Sequence, residues 1–257
     1  MKRSHFILLG SVLLLAILAC QPSFLASPTV TPLPQDTATP AVTLVPTQPA
    51  AQQYFMEEFD QESSNWSHFV VDASIQLTSP GSLPSSPKGD VEGMSVATSD
   101  GHLVFDLENK GLWVYATYDA YEYDDVRLDV VAENRGVNNN NVSLICRYSK
   151  EEGWYEFNLA SSGLYDILYG HYTPDNKVIY GKIADGGSNK LKQGKEINNY
   201  GISCKGRTLV LTINGFETRR IDDNQYVLKK GKVGVSVSSF KDLPVKVEFD
   251  SIKISQP

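Results

Sequence analysis

Leu209-Val210-Leu211-Thr212-Ile213-Asn214-Gly215 is the stretch whose reading decides the fold. Five residues rich in β-branched and aliphatic side chains run straight into Asn-Gly. Both turn residues tolerate positive φ, so the pair is the strongest short-range signal for a two-residue β-hairpin. Working outward, the same grammar recurs. Val233-Gly234-Val235-Ser236-Val237 and Val245-Lys246-Val247-Glu248-Phe249-Asp250 lie downstream, with Tyr155-Glu156-Phe157-Asn158-Leu159 and Val126-Arg127-Leu128-Asp129-Val130 upstream. Each alternates with period two and places apolar side chains on one sheet face. Ser162-Gly163 and Lys205-Gly206 mark further turns, and no stretch sustains a helical period. Many short antiparallel strands in one domain imply a two-sheet sandwich or a barrel. The expectation is all-β: a two-sheet antiparallel β-sandwich of jelly-roll type over residues 54–257.

Upstream of Tyr54 the composition changes. From Gln21 to Gln53 the chain is mostly Pro, Thr, Ala, Ser, Val and Gln, with Asp36 as its only charged residue. Such a segment cannot bury enough apolar surface to fold, and its prolines favour extended polyproline II. At about 3.1 Å per residue it reaches at most about 100 Å, which suits a spacer. Before it, Lys2-Arg3 and the apolar run Phe6–Leu18 form a secretory leader over 1–19, too short to span a bilayer comfortably. Ile17-Leu18-Ala19-Cys20 resembles the bacterial lipobox, although Leu18 is bulkier than the usual small residue. That resemblance implies cleavage before Cys20, lipidation of its sulfur and extracytoplasmic anchoring through two or more acyl chains. Ordinary leader cleavage and an uncleaved anchor are the alternatives. Residues 20–53 then form a lipidated tether.

Cys146 and Cys204 are the two remaining cysteines. In an oxidising compartment they form a disulfide between two strands, the alternative being two buried thiols. The net charge of −7 becomes more negative once Lys2 and Arg3 leave with the leader, which argues against nucleic acid as a partner.

Phe59-Asp60 and Asn65-Trp66 open the folded part. Leu144-Ile145-Cys146-Arg147-Tyr148, Trp154-Tyr155-Glu156-Phe157 and Ser162-Gly163-Leu164-Tyr165 occupy its middle. Asn199-Tyr200, Cys204-Lys205-Gly206, Gly231-Lys232-Val233-Gly234 and Val247-Glu248-Phe249-Asp250 follow. This order resembles the concanavalin A-like lectin/glucanase superfamily, and within it the branch of the domain of unknown function 1080, the 3-keto-disaccharide hydrolases. The resemblance implies a sandwich and a carbohydrate ligand.

A glucanase of that superfamily carries Glu-x-Asp-x-x-Glu on one strand, with carboxylates as nucleophile, helper and acid. The nearest match, Glu122-Tyr123-Asp124-Asp125-Val126-Arg127, ends in an arginine that cannot serve as the acid. No zinc helix, nucleophile elbow or phosphate loop is present in the sequence. Asp222-Asp223-Asn224 offers oxygen ligands for calcium, yet three adjacent residues of this kind also make an ordinary turn. Aromatic clusters do stand out. Sugar C–H faces stack on aromatic rings while polar side chains bond sugar hydroxyls. The candidate glycan contacts are Trp113, Tyr115, Tyr118, Tyr121, Trp154 and Tyr172, with Asn158 as polar partner. The expected function is non-catalytic glycan or polysaccharide binding. The alternatives are a glycoside-cleaving enzyme of the same superfamily and a structural or protein-interaction domain of the envelope.

Overall fold

The computed structural model describes residues 51–72, 76–77 and 91–257. The leader, Cys20 and the tether as far as Ala50 lie outside the described residues. Among the described residues sixteen strands follow in chain order: β1 (Phe55–Glu57), β2 (Trp66–Asp72), β3 (Gln76–Leu77), β4 (Met94–Ser99), β5 (His102–Leu107), β6 (Leu112–Tyr123), β7 (Val126–Asn134), β8 (Asn140–Ser149), β9 (Gly153–Ala160), β10 (Leu164–Tyr172), β11 (Val178–Gly187), β12 (Ile197–Lys205), β13 (Thr208–Ile213), β14 (Phe216–Asp222), β15 (Gly231–Ser239) and β16 (Val245–Ser255). Among the described residues there is no α-helix, only a 3-10 turn at Val91–Gly93.

The strands form two sheets. The first runs β14-β13-β12-β7-β16-β5-β4, with β1 also on β16; the second runs β2-β6-β15-β8-β9-β10-β11-β3. All neighbours are antiparallel except β3 with β11. The expected sandwich is therefore the fold. The Asn-Gly hairpin joins β13 to β14, with Asn214 at φ 50° and Gly215 at φ 80°. One apolar core lies between the sheets. Val126, Leu128 and Val130 of β7 and Val247 and Phe249 of β16 meet Leu144, Phe157, Leu159 and Val235 of the second sheet.

Cys146 on β8 and Cys204 on β12 form the expected disulfide, which staples one sheet to the other. Beside it Arg147 is 2% exposed and turns back at φ 56°. Its guanidinium donates to the carbonyl oxygens of Asp124 (2.7 and 2.9 Å), Gly206 (2.8 Å) and Leu228 (2.6 Å). One buried cation thus ties three loops at that end of the sandwich.

Residues 51–53 are tied to the sandwich by three tyrosines of β6. The hydroxyls of Tyr121, Tyr118 and Tyr123 donate to the carbonyl oxygens of Ala51, Gln52 and Gln53 at 3.1, 2.8 and 2.6 Å. A register shift, in which Tyr118 to Tyr123 of β6 oppose only Val233 to Gly231 of β15, brings the three rings together.

Candidate functional site

The site is built on the outward face of the second sheet, the face turned away from the core. Because side chains alternate, residues flanking the core positions of each strand point outward. Register carries a transverse row across the strands: Phe69, Tyr115, Ser236, Ser143, Asn158 and Asp166 stand opposite one another in turn. At about 4.8 Å per strand the row spans about 24 Å.

Next to this row sits a layer of aromatic rings. Trp154, Tyr115 and Tyr180 are buried, and Gly170 makes this packing feasible, since a Cβ there would stand 2.6 Å from the Trp154 ring. Above them Phe69, Tyr148 and Tyr172 are half-buried. Phe69 stacks on Tyr115 at 4.9 Å and on Tyr148 at 5.1 Å, and Tyr172 lies 5.7 Å from Trp154. These rings, with Val71, Lys150 and Asn176, line a cleft of about 300 Å³. Lys150 Nζ sits 6.0 Å over the Tyr172 ring, which leaves a cation at the cleft mouth.

Glu156 lies within this layer. Tyr115 Oη donates to its carboxylate at 2.7 Å and Trp154 Nε1 at 3.0 Å. The Tyr180 hydroxyl lies 2.5 Å from that of Tyr115, and either of the two is able to donate in that pair. Burial pushes the Glu156 carboxyl above the usual range, and the hydrogen bonds it accepts, led by that from Trp154 and including that from Tyr115, only partly oppose it. Burial likewise drives the Tyr115 and Tyr180 phenols far up, helped by the Glu156 charge. Farther along the row Ser143 donates to Asn158 Oδ1 at 3.0 Å, and Asp166 pairs with Lys182 at 2.8 Å. The Ser236 and Ser238 hydroxyls are buried without a partner.

Of the contacts expected from sequence, Tyr172 alone lines the cleft. Trp113, Tyr115, Trp154 and Asn158 do lie on this face, but at 5% exposure or less they offer no free ring or amide. Trp113 packs edge-on against Phe240, and Trp154 forms the cleft's second layer. Tyr118 and Tyr121 belong elsewhere, holding the end of the tether. Phe69, Tyr148, Lys150 and Asn176 were missed. Period two assigns Phe69 and Tyr148 to a face, but the ring stack forms only when β2, β6 and β8 meet.

The glucanase-like carboxylates are not part of this face. Glu122 pairs with Lys230 at 3.4 Å, while Asp124 and Asp125 sit in the β6–β7 hairpin, where Asp125 accepts from Gly206 N at 2.8 Å. The proposed calcium ligands are also engaged. Asp222 accepts from Thr208 Oγ1 at 2.6 Å. Asp223 accepts from Tyr155 Oη and from the backbone N–H groups of Gln225, Tyr226 and Val227. Burial works against the Asp223 charge, but these donors outweigh it and hold the carboxyl below its usual range.

No family model matches the sequence, and no curated protein matches it. Solved structures do resemble the fold. A Bacteroides ovatus mixed linkage glucan GH16 protein in complex with its G4G4G3G product is 12% identical at a TM-score of 0.52, covering 78% of this chain and 99% of that one. The Bacillus licheniformis β-glucanase is 12% identical at 0.53, covering 80% and 99%. A Bacillus subtilis protein of unknown function with a galectin-like fold is 10% identical at 0.54, covering 79% and 94%. The architecture is thus the concanavalin A-like and galectin-like sandwich.

Proposed function

We propose that the chain is a lipid-anchored, extracytoplasmic module that binds a glycan across the outward face of the second sheet without cleaving it. The observation that carries this reading is the aromatic cleft, in which the half-buried rings of Phe69, Tyr148 and Tyr172 open beside a transverse polar row. A sugar's C–H face suits the rings, and its hydroxyls suit Asn176 and Lys150. An oligosaccharide in the Bacteroides ovatus structure supports the same ligand class. The carboxyl groups on this face support the reading without cleavage. Glycoside hydrolysis uses two carboxyls flanking the bond. Here Glu156 is buried under neutral donors and Asp166 is tied to Lys182. The motif order resembling the domain of unknown function 1080 supports placing the module in that branch, and the lipobox-like Ile17–Cys20 supports the anchor.

Affinity electrophoresis against a polysaccharide panel tests the binding. Retardation by at least one glycan, weakened tenfold or more by Tyr172→Ala and Phe69→Ala, is the expected result; no retardation on any glycan sinks the proposal. Detergent-phase partitioning of the full chain, lost on Cys20→Ser, tests the anchor separately. The rival reading, an enzyme, draws on one observation: a raised carboxyl beside a cleft is the usual state of a general acid. Turnover of a glycoside panel that disappears in Glu156→Gln would establish it.

A further inference from the structure

All three rings that open into the cleft rest on two others. Phe69 lies nearly parallel on Tyr115 at 4.9 Å, while Tyr148 and Tyr172 lean on Trp154 at 5.5 and 5.7 Å. Those two supports come from different strands, β6 and β9, and one atom pins both. Glu156 Oε2 accepts from Tyr115 Oη at 2.7 Å and from Trp154 Nε1 at 3.0 Å. Alternation sets Glu156 on the same face as Trp154, two residues before it, and register places it between Ile145 of β8 and Leu168 of β10. At 1% exposure the carboxyl is wedged among rings and aliphatic side chains. The cation of its row, Lys182 of β11, stands two strands away and is tied to Asp166 at 2.8 Å.

Burying a carboxylate under neutral donors costs stability, and a glutamine of the same shape avoids that cost. What the charge supplies is grip, since hydrogen bonds to an ionised acceptor are about twice as strong as neutral ones. We infer that Glu156 is the positioning residue of the cleft: ionised it holds the two supporting rings in place, and on taking up a proton it slackens them, so that glycan is held at higher pH and released in acid. The other titratable groups facing it leave this transition to Glu156. Tyr115 of β6, Tyr148 of β8, Tyr172 of β10 and Tyr180 of β11 are all raised by burial and keep their protons. Asp119 of β6 is paired with Lys232 of β15 at 3.0 Å, and Asp166 of β10 with Lys182. His171 of β10 faces the other way from Tyr172 and stacks on Tyr169 at 5.0 Å. Ring order depends on Glu156 whatever the ligand, whereas the change in affinity rests on the glycan reading.

Near-ultraviolet circular dichroism of the full chain reads the ring layer without a ligand. The expected result in the parent is a change that follows one proton, with its midpoint above pH 4.5, and no such change in Glu156→Gln. Glu156→Gln is nearly isosteric and keeps an accepting oxygen, so the fold persists; Tyr115→Phe, which removes one of the two donors and keeps the ring, should shrink the change. Affinity for any polysaccharide that retards the parent is then expected to fall at least threefold across the same midpoint. Glu156→Gln should bind with the weaker, acid-side affinity at every pH. A purely structural role would lower affinity without altering its pH profile. A flat ring signal in the parent, or the same pH profile in parent and Glu156→Gln, overturns the inference. If no glycan binds, the glycan reading falls by itself, and the ring titration alone decides whether Glu156 holds the floor.

Discussion

Arg147 and Glu156 show how far a single residue departs from what its sequence position suggests. Arg147 follows a buried cysteine on a strand, and period two alone sends it to a surface. Instead its positive φ turns the side chain inward, where backbone carbonyls from three loops receive it. Arg147→Met strands those carbonyls, at about 1–3 kcal/mol for each that stays buried. Urea denaturation is expected to show a loss of about 3 kcal/mol or more, and Arg147→Lys does not restore it because an ammonium lacks the planar fork. Glu156 titrates in the opposite sense to most carboxylates. Its folded carboxyl holds its proton to higher pH than the unfolded one, so the contribution is full below about pH 4.5 and is lost as pH rises through the folded value. The stability of Glu156→Gln relative to the parent should therefore climb as pH increases from 4.5 towards neutrality, read by denaturation at a series of pH values. A flat difference would mean that the carboxyl is solvated. The sequence placed Glu156 on the polar face of its strand correctly. Nothing in it reveals that Tyr115, Trp154 and Tyr180, three separate strands' contributions, converge on that carboxyl.

Strands and turns were far more legible. The Asn214-Gly215, Ser162-Gly163 and Lys205-Gly206 turns all fall between the strands that the alternation marks, and Gly163 and Gly206 carry positive φ as such turns require. The reason is local: turn chemistry and period two act over a few residues and need no partner. Trp113, Tyr115, Trp154 and Asn158 are covered because both faces of β6, β8 and β9 are buried, so an aromatic ring on the outer face is no longer an exposed one. β6 adds a second difficulty. Its register shift lets Tyr118 and Tyr123 share the inner side although their spacing is odd. The disulfide belongs to this scale, since it joins β8 to β12 across the core. It closes a loop of 58 residues, for which the chain-entropy model gives about 4 kcal/mol. A Cys146→Ser/Cys204→Ser variant should lose about that much in denaturant titrations, and reduction of the parent should match it. A loss under about 1 kcal/mol would show that the reduced chain keeps the two strands together unaided.

At the scale of the whole molecule, Ala51 to Gln53, just ahead of Tyr54, are fastened to the sandwich. Three phenols on β6 fasten three successive carbonyls just before β1 pairs with β16. Replacing Tyr118, Tyr121 and Tyr123 together by Phe keeps the rings and removes only the hydroxyls. Hydrogen exchange over residues 51–57 should then accelerate at least tenfold and limited proteolysis should start there, while the exchange of β8 and β15 stays unchanged. Uniform acceleration everywhere would mean that the clamp supports the core itself. The arrangement has a mechanical side. In the proposed anchored, glycan-holding state, a pull that reaches Ala51 would meet the phenols one at a time, each carrying the load alone. They peel in order and release about 10 Å of slack before β1 is strained. The rings stay where they are when the carbonyls leave, so the strap would refasten once the pull relaxes: in the proposed anchored state the junction would serve as a reusable shock absorber.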